Sequence, residues 1–338
     1  MKLFARQGSV YNHASVKVYH GYGHTHNLVV YGHVFKSKAI IWHKFTNNIF
    51  YNALRLFRLF LVNPFPRAKI RLRWQDQVLP GQTEDDGFFK FEWKATHEVE
   101  AGWHHLNVDL IDEAGNVVKT ADGKMFVPHS TQFAFISDID DTIMISYSAT
   151  IGRRLKELFI RNPRTRSMFP GVPEHYKLLS LAHTTNDVPN AFFYVSSSEW
   201  NLYDYLNEFF KFNNLPRGAF LLNQVKRWFE LWKTGKTKHM GKLLRVVRIL
   251  EAFPSQQFIL LGDNTQSDPS IYASVAKKLP GKIFAIYIRN IVKKNEQPAK
   301  AILAEIAASG VHTCLFDHSA DAIAHSRQIG LVTQAVKI

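Results

Sequence analysis

The hydrophobic and polar positions change their period near residue 130. Before that point the period is two. Ala68–Trp74 (AKIRLRW) alternates strictly, with Ile70, Leu72 and Trp74 on one side and Arg71 and Arg73 on the other, the pattern of a half-buried strand. Asn27–Phe35 (NLVVYGHVF), Phe88–Trp93 (FFKFEW) and His105–Ile111 (HLNVDLI) are further β-branched and aromatic runs. Turn clusters separate them, Thr83–Gly87 and Asp112–Asn116. Short strands at this spacing predict an antiparallel β-sandwich. One helical stretch interrupts it: residues 47–62 place Phe50, Leu54, Phe57 and Leu61 at helical intervals with Arg55 and Arg58 between. Such a basic amphipathic helix either packs on its neighbours or lies on anionic lipid.

From residue 133 short apolar runs alternate with helical segments. The runs are Phe133–Ile136, Ala191–Val195, Phe258–Leu261 and Lys282–Ile288; the helices predicted between and after them include Tyr203–Phe212, Leu243–Phe253 and Ile271–Lys278. This predicts α/β structure with a parallel sheet covered on both faces. The expected organisation is therefore a β-sandwich-like domain over 1–130 with a helical insertion, then an α/β domain over 131–338, where chemistry sits at the carboxyl ends of the strands.

Composition adds three constraints. The chain of 338 residues holds 46% apolar and 21% charged residues, which excludes a disordered or collagen-like chain. No apolar run approaches the roughly 20 residues of a membrane helix, and Met1–Arg6 breaks too early for a signal peptide. A single cysteine, Cys314, excludes an intrachain disulfide and a multi-cysteine zinc site. The expectation is a cytoplasmic protein. The net charge of +14 attracts polyanions, whether nucleic acid, phosphorylated metabolites or an anionic membrane surface. No base-stacking motif supports nucleic acid, and nothing in the chain sets the oligomeric state.

The strand ends carry the candidate chemistry. Phe133–Ile136 runs into Ser137-Asp138-Ile139-Asp140-Asp141-Thr142. Three carboxylates within four residues repel one another unless a cation holds them, and Mg²⁺ is the hard cation that suits carboxylate and phosphate oxygens. Phe192–Val195 ends in Ser196-Ser197-Ser198, and Phe258–Leu261 in Gly262-Asp263 with Asp268 beyond. A basic stretch with Lys233, Lys236, Lys238, Lys242 and Arg245 lies between them. Gly235-Lys236-Thr237 has half of a P-loop, but Glu230 stands where the first glycine belongs. His20, His24 and His26 lack a carboxylate or cysteine that would complete a metal set.

The order acid pair, hydroxyl, lysine, acid pair resembles the four motifs of the haloacid dehalogenase superfamily. Within it, Asp138-Ile-Asp-Asp-Thr142, Tyr194-Val-Ser-Ser-Ser198 with Trp200-Asn-Leu-Tyr203, Phe258–Asp263, Asp268-Pro-Ser-Ile-Tyr272 and Ile286-Tyr-Ile-Arg289 are similar to the actin-patch-associated phosphatidate phosphatases in their bacterial form. Gly21-Tyr22-Gly23 and Val30–Val34 are similar to the sandwich-like domain of those members. The resemblance implies a haloacid-dehalogenase-like Rossmannoid domain and a Mg²⁺-dependent hydrolysis of phosphatidate to diacylglycerol. It implies Asp138 as the nucleophile that forms an aspartyl-phosphate, and Asp140 as general acid and base. Ser196 would bond a phosphoryl oxygen and Lys242 would screen the nucleophile. Mg²⁺ would be held by Asp138, the backbone carbonyl of Asp140, and Asp263. Thr142 and Asp268 would orient these groups, and Asp141 either joins them or only shapes the turn. The third-motif lysine is Lys242 by its distance to Phe253-Pro254; Lys238-His239 is the alternative. Glu199 replaces the family's usual Pro and Asn264-Thr265 its Ser-Gly. Arg153, Arg154, Lys156, Arg161, Arg164 and Arg166, with Leu155, Leu158, Phe159, Met168 and Phe169, either form a basic, apolar rim suited to a lipid phosphate or a solvated charged segment. Two other readings fit the residues: a phosphatase of another phosphomonoester, nucleic-acid ends included, and a non-catalytic scaffold for anionic lipid.

Overall fold

The computed structural model describes residues 11–38, 48–129, 133–147, 157, 160–224, 238–265 and 267–333. They fall into two compact units: residues up to 38 and 57–128 in the first, 48–56 and 129 onward in the second.

The first unit is β-structure. Its strands are β1 (Ser15–Val18), β2 (Gly21–His24), β3 (Asn27–Phe35), β4 (Lys69–Trp74), β5 (Gln77–Gln82), β6 (Phe88–Trp93), β7 (Gly102–Ile111) and β8 (Val117–Val127). They hydrogen-bond in one sheet, ordered β1-β3-β2-β8-β7-β4-β5, with β6 also bonded to β3. All pairs are antiparallel except β2–β8. All eight strands thus form one continuous ladder. It doubles back so that Trp93 of β6 meets Trp74 of β4, ring centroids 5.8 Å apart. The alternation in the sequence has the predicted result. Ile70, Leu72 and Trp74 enter the core with Leu28, Val30, Phe89 and Phe91, while Arg73 and Arg71 of the outer face bond Asp109 at 2.8 and 3.1 Å.

His33 is a polar exception in this unit. It is fully buried, with Nδ1 2.9 Å from the Tyr19 hydroxyl and Nε2 without a partner. Burial, helped by Lys17, pushes its pKa down to about 3. The unfolded chain therefore binds the proton more readily, and stability falls as pH drops below about 6.5. Between pH 7.5 and 5, His33 should cost about 2 kcal/mol. Urea denaturation of His33→Phe should lack that part of the pH dependence; an unchanged dependence would contradict the assignment.

Helix α1 (Ile49–Phe60) corresponds to the stretch expected at 47–62. Its first part, to residue 56, clusters with the second unit, where Asn52 Nδ2 donates to Ile160 O at 3.3 Å.

The second unit contains β9 (Phe133–Ser137), β10 (Ala191–Glu199), β11 (Ala219–Asn223), β12 (Gln257–Asp263), β13 (Ile283–Arg289) and β14 (His312–Phe316). The order β11-β10-β9-β12-β13-β14 is parallel throughout. Helices α2 (Val172–Ser180), α3 (Tyr203–Phe212), α4 (Lys238–Ala252), α5 (Asp268–Lys278), α6 (Glu296–Ala307) and α7 (Ser319–Gln328) alternate with these strands. Both faces are covered, so β9 is buried at every position and reads as a continuous apolar run. From β9 the chain builds outward through β10 and β11, then returns to the other side of β9 as β12. That reversal opens a crevice at the carboxyl ends of β9 and β12, where open parallel sheets hold their ligands.

Candidate active site

Asp138 follows β9 directly. Its N–H donates to Leu261 O at 2.8 Å, so the β9–β12 ladder holds its backbone beside the end of β12. The chain then turns sharply. Asp141 adopts a left-handed φ of 62°, and its Oδ1 accepts the amides of Ser146 and Tyr147 at 2.8 and 2.9 Å. Asp141 thereby ties the loop rather than facing the other carboxylates. The same loop is anchored from β13: Arg289 Nε donates to Thr142 O at 3.0 Å and Nη2 to Ser319 Oγ at 3.0 Å. The Arg289 guanidinium lies 4.5 Å from the Phe169 ring centroid and 4.7 Å from that of Phe316.

Four elements bring the remaining groups together. Lys242, buried on α4, donates to Asp138 Oδ1 at 2.6 Å and to Asp268 Oδ1. The side chain of Lys238, the alternative from the sequence, lies outside the described residues. Asp263 ends β12, and its amide donates to Asp268 Oδ2 at 3.3 Å. Asp268 opens α5 with no exposure, and both its oxygens are thus engaged in orienting neighbours. Its close approach depends on Gly262: a Cβ there would stand 2.5 Å from Asp268 Oδ2. Thr142 Oγ1 lies 3.4 Å from Asp138 Oδ2 and 3.5 Å from Asp263 Oδ2, long contacts of little strength.

Asp140 faces the other wall. Its Oδ2 accepts from Ser196 Oγ at 3.1 Å and from Ser198 Oγ at 2.8 Å. Residues i and i+2 of a strand share a face, so the Ser-Ser-Ser run contained this second hydroxyl; the sequence reading singled out only Ser196. The bond from Arg289 to Thr142 O was not legible, because it joins segments 147 residues apart, whereas the bonds of Asp141 to Ser146 and Tyr147 are local and depend on the left-handed turn at Asp141.

Ligand oxygens of Asp138, Asp263 and Asp268 lie within 4.8 Å of one another, the one such group of metal-ligating side chains among the described residues. Asp268, expected from the sequence only to orient its neighbours, is a member of that trio, and the Asp140 carboxylate is not. His20, by contrast, packs its ring on Trp103 and belongs to no such group. Burial pushes Asp138 well above the usual carboxylate range; Lys242 opposes this, while Asp268, Asp263 and Asp140 add to it. Asp263 rises to about 7 through burial and the charge of Asp268. Burial alone would lower the Lys242 pKa, but Asp138 and Asp268 outweigh it and hold the ammonium above its ordinary value. Negative charge thus exceeds positive charge in a buried site, which a hard divalent cation with oxygen ligands would balance. The donor set suits a hard divalent cation.

The expected basic rim is described only in part. Arg153, Arg154, Leu155, Lys156, Leu158 and Phe159 lie outside the described residues. Arg161 pairs with Glu157, and Arg164 with Glu208. Arg166 is buried and bonds Ser146 Oγ at 3.0 Å. Asn264 turns away from the carboxylates and accepts the amides of Ile291 and Val292. Trp200 and Tyr203 are buried in the packing of the unit.

A parallel α/β unit whose central strand empties into a buried carboxylate–lysine cluster defines the class of the domain. Residues 133–290 match the family described as phosphatidate phosphatase APP1, catalytic domain. A relative from Saccharomyces cerevisiae, phosphatidate phosphatase APP1, is 34% identical over 157 residues, covering 46% of this chain and 25% of its own length. An uncharacterized protein of Schizosaccharomyces pombe is 25% identical over 181 residues, 52% of this chain and 28% of its own. The chain thus spans about a quarter of the length of these curated relatives. A carbohydrate acetylesterase from Xanthomonas citri matches 91% of this chain and 72% of its own at 8% identity with a TM-score of 0.32, too remote to inform fold or function.

Proposed function

We propose that the protein is a Mg²⁺-dependent phosphatidate phosphatase of the haloacid dehalogenase type, working through an aspartyl-phosphate on Asp138. The observation that carries this reading is the position of the Asp138 carboxylate. It is buried at the strand ends, with Oδ1 bonded to Lys242 and Oδ2 meeting only the long Thr142 contact among the hydrogen bonds found there. That second oxygen attacks phosphorus as the bond to the diacylglycerol oxygen breaks, and the Asp140 carboxyl gives that oxygen its proton. Asp140 then takes a proton from water, whose oxygen displaces the Asp138 carboxylate and releases phosphate. Ser196 and Ser198 hold Asp140 between these steps, and Ser196 reaches a phosphoryl oxygen when substrate is bound. Asp138, Asp263 and the Asp140 carbonyl would hold Mg²⁺, which when bound neutralises charge on the phosphoryl oxygens.

The lipid assignment is supported by the family match and by apolar side chains open to solvent. Phe50 of α1 is 87% exposed, with Ile49 and Leu54 half exposed beside it, a face suited to a membrane surface. Among the described residues no helix is long and apolar enough to cross a membrane. The test is phosphate release from phosphatidate in mixed micelles, with a soluble phosphomonoester run beside it. Release from phosphatidate should stop with EDTA and return with Mg²⁺. Release from the soluble ester alone overturns the lipid substrate, and release from neither overturns the enzyme.

A further inference from the structure

Arg245 is a cation that the reaction as described does not use. It stands three residues after Lys242 on α4, so the two side chains share one face of the helix. Its Nη2 donates to Ser196 O at 3.3 Å, which fixes the guanidinium at the carboxyl end of β10. Its Nε is buried and lacks a hydrogen-bond partner, and it forms no ion pair among the described residues. Asp138 is the carboxylate whose charge reaches it; burial, with the nearby Arg248, pulls its pKa down to about 10. Sequestering a guanidinium without a counter-charge is unfavourable.

We infer that Arg245 is a phosphate-binding residue: its fork keeps the bond to Ser196 O and donates to a non-bridging oxygen of the phosphoryl group. This rests on the reading given above, in which that group lies among Asp138, Ser196 and Lys242. A planar guanidinium can hold one acceptor and offer further N–H groups to a second, which an ammonium cannot do with the same geometry. Together, Lys242 and Arg245 set two fixed positive charges against the phosphoryl group. The site then favours a doubly charged terminal phosphate over a singly charged diester.

The experiment titrates inorganic phosphate into the full chain with Mg²⁺ present, by calorimetry, alongside phosphate release. Arg245→Gln should weaken phosphate binding about 10- to 100-fold. Arg245→Lys should recover part of the loss and guards against misfolding of the first variant. Arg248→Gln, which removes an exposed charge from the same helix, should bind phosphate like the wild type. The inference is overturned if Arg245→Gln binds phosphate as tightly as the wild type, if Arg248→Gln loses as much, or if the wild type binds no phosphate. Turnover by a wild type whose phosphate affinity ignores Arg245 leaves the functional reading standing without this inference. Arg245-dependent binding in a protein that cleaves no ester leaves the anion site standing without the phosphatase.

Discussion

Asp138→Asn should release phosphate at least about 10⁴-fold more slowly than the wild type, with its fold intact. The amide keeps the shape of the carboxylate but is not a nucleophile. The same change removes one of several crowded negative charges, since Asp268, Asp263 and Asp140 all oppose ionisation of Asp138. The loss of activity therefore comes without a matching loss of stability. The melting temperature should stay within a few degrees, and inorganic phosphate should bind at least as well, because a like charge has gone. Residual turnover above about one tenth of wild type would remove Asp138 from the role of nucleophile.

Lys242→Met should have the second largest effect, on both rate and stability. The ammonium donates to Asp138 and Asp268 from a buried position. Its removal leaves carboxylates without their nearest positive charge, a change that costs about 3–5 kcal/mol in comparable buried pairs. Turnover should fall about 10²- to 10³-fold, the scale of losing one preorganised donor. The pH dependence distinguishes this from a packing defect. Asp263 already has a raised pKa of about 7, so the folded state binds more protons than the unfolded one between about pH 4 and 7. Stability from this source is present at low pH and is lost as pH rises through the folded value. The deficit of Lys242→Met in metal-free urea denaturation should be larger at pH 7.5 than at pH 5. A deficit independent of pH would mean lost packing instead.

These effects centre on positions that the sequence already marked, and the reason is physical. An apolar run that ends in Asp138-Ile-Asp-Asp-Thr142 leaves few other places for its carboxylates than a strand end, and strand–helix alternation puts such ends on one edge. Strand β4 was similarly legible because its alternation survives into burial. Strand β5 was not: Pro80 and Gly81 argue against a strand, and the segment is tolerated because it lies at the end of the sheet order. Strand β8 begins with mostly exposed residues and carries no alternating signal there. Ser198 shares a face with Ser196 within β10, but its partner Asp140 lies 58 residues away, which local pattern does not encode. Helix α1 was placed by period, but the bond from Asn52 to Ile160, 108 residues away, was not legible in it.

That separation in sequence has a consequence for how the protein comes into being. Lys242 and Asp138 are 104 positions apart, Thr142 and Asp263 121, Arg289 and Thr142 147. Each contact closes a long loop, whose entropy must be met before the contact rewards it. Strand β9 can take its place beside β10 early during synthesis, but Asp138 has neither Lys242 nor Asp263 near it until α4 and β12 have docked. A nascent or truncated chain that stops before Asp268 holds a sheet without a reaction centre. Gain of catalytic activity therefore reports the last docking events of folding, not the formation of the sheet.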